Sequence, residues 1–122
     1  MAGTSEAAIT RVAAYKFGAI YDNYVAKVER KGKSVADLRY LLEWLTGYDD
    51  AALETAVTDG RTMAEFFDQA PQMNQNAALI KGVICGVRVE EIENPFMQQV
   101  RWMDKIVDEL AKGKKLASIT RS

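Results

Sequence analysis

Lys81 and Arg88, in the stretch "LIKGVICGVRVEEI", are the residues best placed to do chemistry. They stand seven positions apart, which puts both on one stripe of a helix. A lysine and an arginine converging from one side hold a phosphate or carboxylate through charge-assisted hydrogen bonds. The competing role is structural: buried cations are normally paired, and Glu91 or Glu93 supplies a carboxylate close by. Cys85, the only cysteine, lies between them. A nucleophilic thiol needs a base or an electropositive setting. The chain has no histidine, which excludes Ser-His-Asp and Cys-His arrangements and nearly every zinc site. On an apolar helix Cys85 is a buried, inert filler beside Gly82 and Gly86. Glu90, Glu91 and Glu93 offer oxygens to a divalent ion, but a solvated junction before Asn94-Pro95 suits them better, and no calcium-loop pattern exists. No catalytic constellation, metal site or cofactor motif emerges, and the reading leans away from an enzyme.

Three aromatics suggest a different use. Tyr40 and Trp44 are one helical turn apart, on the side away from Val35, Leu38 and Leu42. Trp102 flanks the core face of the last long helix. Trp and Tyr off a core face are candidates for a partner surface, because these types dominate interface hot spots. The alternative is a fold that wraps both sides and makes them core. The expected partner is a second copy of the chain. A small anion at Lys81 and Arg88 is the alternative ligand. The basic clusters "ERKGKS" and "KGKK" leave a nucleic-acid accessory role as a third reading. Both clusters sit at helix ends, where the helix dipole favours cations anyway. With 16 basic and 17 acidic residues the net charge is −1, which argues against coating nucleic acid or an anionic membrane.

The elements that must position these residues are helical. A chain of 122 residues fits one domain, with 1–10 and 114–122 expected to fray. An apolar fraction of 48% with 27% charged residues is the balance of a soluble globular protein. No signal peptide and no bilayer-spanning run is apparent, so the default location is the cytoplasm. Phe17, Ile20, Tyr21, Tyr24 and Val28 form a stripe over 15–31, and 6–14 are candidates to extend that helix. Ser34 with Asp37 opens a second helix, with Val35, Leu38, Leu41, Leu42 and Leu45 inward, and Gly47 stops it. Asp49 or Asp50 caps a helix over 51–58. Thr62 and Glu65 form a capping box for 63–70, which Pro71 ends. "PQMNQN" is a polar loop. Asn94-Pro95 starts a helix running to about Lys112, and the tail adds one turn.

The stretch 77–90 decides the architecture. As a strand it alternates fairly well, but no second strand is evident to take up its hydrogen bonds. As a helix, Leu79, Ile80, Val83, Ile84 and Val87 cover one side, with Gly82, Cys85, Gly86 and Val89 on the other. A helix apolar almost all round belongs in the middle of a bundle. The expectation is an all-α bundle of five or six helices around a central apolar helix at 77–90, with 95–112 packed along it.

The stretches "FGAIYDNYVAKVERKGKS", "WLTGYDD", "FFDQAPQMNQN", "LIKGVICGVRVEEIENP" and "VRWMDKIVDELAKGK" together resemble a bacterial family, domain of unknown function 2200, from about residue 11 onward. The chain has Thr10, Lys16, Asp22 and Gln75 where the family pattern has a histidine and prolines. The resemblance implies a small cytoplasmic bacterial protein and no particular chemistry.

Overall fold

A computed structural model describes residues 5–121. Its first two helices, α1 (Glu6–Ala14) and α2 (Phe17–Arg30), are separate, not one extended helix. Ser5 caps α1 by accepting the Ala8 N–H at 3.1 Å. The backbone then turns extended, with Lys16 at φ −72° and ψ 130°. That is the conformation a proline enforces, here adopted by a lysine. An antiparallel bridge pins this break to the loop between α4 (Asp50–Thr58) and α5 (Met63–Asp68). In it the Phe17 N–H donates to the Arg61 carbonyl at 2.9 Å, and the Met63 N–H to the Tyr15 carbonyl at 2.7 Å.

The helix boundaries follow local chemistry. Ser34 accepts the Asp37 N–H and opens α3 (Val35–Thr46), whose Leu38, Leu41, Leu42 and Leu45 are wholly buried. Asp49 caps α4, and Thr62 with Glu65 forms the reciprocal capping box of α5. The bridge and these caps bring together a line of aromatic rings. Phe66 stacks on Phe17 with centroids 3.7 Å apart and on Tyr48 at 4.8 Å, and meets Phe67 edge-on. Phe67 meets Phe96 in turn, also edge-on. Each buried ring contributes about 1.5–3 kcal/mol through lost apolar surface. The Tyr48 hydroxyl donates to the Phe66 carbonyl at 2.6 Å, so its polar end is satisfied inside the core.

The central rod is α6 (Pro95–Ala111), which touches α2, α3, α5, the segment before it and α7 (Leu116–Ile119). Asn94 caps it by accepting the Met97 N–H. Met97, Met103, Ile106 and Val107 are fully buried along it. Glu109 is buried too, and Arg121 grips it with two hydrogen bonds of 2.6 and 2.9 Å. Ile119, in the same tail, is wholly buried.

The expected central helix at 77–90 does not form. Residues Gln75–Leu79 make a 3-10 turn, and β1 (Val83–Ile84) pairs antiparallel with β2 (Val87–Arg88). The register is Val83 with Arg88 and Ile84 with Val87. Cys85 at φ 52° and Gly86 at φ 78° form the two-residue turn between them. Two consecutive positive φ values define the turn whose twist suits a tight hairpin. The absent second strand was in the same stretch, folded back after two residues. A further 3-10 turn, Val89–Glu91, leads towards α6. The hairpin's own bonds are supplemented from α6, where Lys105 donates to the Val83 carbonyl and Gln98 to the Val89 carbonyl. The fold remains all-α apart from this hairpin, with seven α-helices among the described residues.

Candidate functional site

Without a helix at 77–90, Lys81 and Arg88 share no helical stripe. Both are exposed, and the carboxylate they face is Glu90. Glu90 Oε1 accepts the Gly82 N–H at 3.0 Å, and Arg88 Nη1 lies 3.8 Å from Oε2. The Gly82 N–H, reinforced by the charges of Arg88 and Lys81, holds the Glu90 carboxyl below its usual range. The local anion for this basic pair is thus a residue of the 3-10 turn that follows the hairpin. Neither side chain lines any of the three clefts described for this surface.

Cys85 is exposed at the hairpin turn, not buried as an inert filler. Its Sγ lies 3.5 Å from Arg101 Nη1 on α6. Arg101 also donates to Asp104 Oδ2 at 2.7 Å, and Asp104 Oδ1 accepts the Tyr24 hydroxyl. Burial, and then the adjacent Asp104 charge, pushes the Tyr24 phenol well above its ordinary value, so it keeps its proton and remains a hydrogen-bond donor to Asp104 at any ordinary pH. Among the described residues no group of three or more His, Cys, Asp or Glu is gathered for a metal.

The aromatics separate into two kinds. Trp102 is half-buried against the core, whereas Tyr40 on α3 is 52% exposed. Trp44, one turn further on, is half-buried and forms part of a cleft of about 400 Å³ with Gly47, Gln72, Asn74, Gln75 and Asn76. The cleft arises where the loop after Pro71 presses on the end of α3. Gln72 N–H donates to the Thr46 carbonyl at 3.1 Å, and Asn74 N–H to the Leu45 carbonyl at 2.9 Å. Gly47, at φ 81°, permits that approach, because a Cβ there would lie 2.9 Å from both Gln72 N and O. Asn74 Oδ1 accepts the Asn76 N–H at 2.8 Å and fixes the turn. The side chains of Gln72, Gln75 and Asn76 and the Trp44 indole N–H have no hydrogen-bond partner among the described residues. Trp44 was legible in the sequence as a surface candidate, but the amides were read only as a polar loop. Their density, four in the five residues 72–76, was the signal.

The comparisons agree with this picture of fold and leave chemistry open. A solved structure described as that of uncharacterized protein SP1917 is 40% identical to the chain, covers 91% of each chain and has a TM-score of 0.86. No curated protein matches. The family model for DUF2200, described as an uncharacterized protein conserved in bacteria, matches residues 11–121. The chain therefore belongs to the DUF2200 family, whose function is unknown.

Proposed function

We propose that this chain is a non-enzymatic interaction module that pairs with a second copy of itself through the Tyr40–Trp44 side of α3 and the amide loop at 72–76. The observation that carries this is the chemistry of the cleft lining, in which every residue is uncharged. An amide side chain offers both donors and an acceptor, so a patch of amides is complementary to its own copy across a two-fold axis. A patch of one charge would repel that copy. Tyr40 and Trp44 add the rigid aromatic contact that interfaces use as anchors. Among the described residues no helix is long and apolar enough to cross a membrane. An exposed, unpaired Cys85 suits a reducing setting and supports the cytoplasm as its location.

Light scattering at high micromolar concentration tests the pairing. The wild type is expected at twice 13.6 kDa. Gln75→Lys places like charges across the axis at an exposed position and is expected to give monomer without loss of fold. Tyr40→Ser is expected to weaken pairing in the same way. A wild-type monomer, or a dimer indifferent to both changes, contradicts the proposal.

A further inference from the structure

We infer that a second cleft, between α1, α2, α5 and α6, binds a small carboxylate carried on a compact apolar body. The cleft encloses about 280 Å³ and shares no residue with the Trp44 cleft. Its floor includes Met63 and Val100, both buried, and its walls include Val12 and Ile20. Two arginines line the cleft beside these apolar side chains, Arg11 from α1 and Arg101 from α6.

The charges do not cancel. Asp104 is already engaged twice, by Arg101 at 2.7 Å and by the Tyr24 hydroxyl. The Arg11 side chain has no hydrogen bond or ion pair among the described residues. Two cations against one carboxylate leave the cleft one positive charge in excess. That excess selects a monoanion, and an arginine fork suits a carboxylate in particular. The side chains of Val12, Ile20, Met63 and Val100 favour a ligand with a hydrocarbon body over a bare inorganic ion. The volume is at or below the roughly 300–1,000 Å³ of pockets for drug-sized molecules, so a short branched or single-ring acid fits and a nucleotide does not. Tyr15, 42% exposed at the rim, adds a hydroxyl with no partner among the described residues.

The probe is 4-methylpentanoate, titrated into the full chain by calorimetry and by the Met63 methyl resonance. Its amide, 4-methylpentanamide, and inorganic phosphate serve as comparisons. Saturable one-to-one binding with a shift of the Met63 methyl is expected. The amide, phosphate, and the Arg11→Gln variant with the acid should each bind roughly tenfold more weakly or not at all. Arg11 is exposed, so the variant keeps its melting midpoint and any loss is one of binding. Absence of saturable binding overturns the inference. So does an amide or phosphate that binds as well as the acid, or an Arg11→Gln variant that binds unchanged.

Discussion

Replacing Gly47 by alanine separates two physical effects that coincide at the end of α3. The first is conformational: at φ 81° an L side chain costs about 1 kcal/mol. The second is steric. The new Cβ would sit 2.9 Å from the backbone N and O of Gln72, a distance backbone atoms do not tolerate. Relief requires the loop to move away and weakens the bonds from Gln72 to Thr46 and from Asn74 to Leu45. Each is worth about 1 kcal/mol net, so the expected total is about 3 kcal/mol. Gly60 provides the control, since it has the same φ of 81° and nothing within 4 Å of its added Cβ. Gly60→Ala should cost only the conformational part, about 1 kcal/mol. Urea unfolding of both variants, compared at unchanged m value, measures the difference. Equal losses for Gly47→Ala and Gly60→Ala would refute the claim that close packing of the loop on α3 builds the cleft.

Three further outcomes are expected. Cys85→Asn places at the first turn position the residue such hairpins favour, and should raise the thermal midpoint slightly, while the wild-type thiol reacts with a disulfide reagent in the native state. Arg121→Met leaves buried Glu109 with Lys105 at 4.0 Å and Lys114 at 3.5 Å as its cations among the described residues, and should cost about 3 kcal/mol in urea unfolding. Burial alone would raise the Asp108 carboxyl, but hydrogen bonds and charge from Lys112 and Lys27 outweigh it and hold it below its ordinary range. A depressed folded-state value means stability that is present above the ordinary aspartate pKa of about 4 and is lost as pH falls through the folded value. The stability gap between wild type and Asp108→Asn should therefore shrink on acidification through that window.

Local signals were legible wherever short-range chemistry decides. Ser34, Asp49, the Thr62–Glu65 pair and Asn94 each mark a helix start that forms. Leu38, Leu41, Leu42 and Leu45 mark a buried face by spacing alone. The stretch at 77–90 was misread because a short apolar run fits both periodicities. The deciding feature was Cys85-Gly86, a turn whose first residue is not one of the usual hairpin types. Gly82, at φ 111°, adds a second position no helix accepts. The break at Lys16 was missed because the bridge to Thr62 that holds it is a contact across 46 positions. The clefts needed the same long-range information. Arg11 and Arg101 come from the two ends of the chain, and only the packing of α1 and α6 around Met63 brings them together.

Pairing through the Tyr40–Trp44 face is tested most directly by backbone amide spectra recorded from low to high micromolar protein. The account predicts concentration-dependent shifts confined to residues 40–47 and 72–76, lost in Gln75→Lys. Spectra that do not change with concentration, or shifts that fall on the hairpin or on α1 instead, would contradict it.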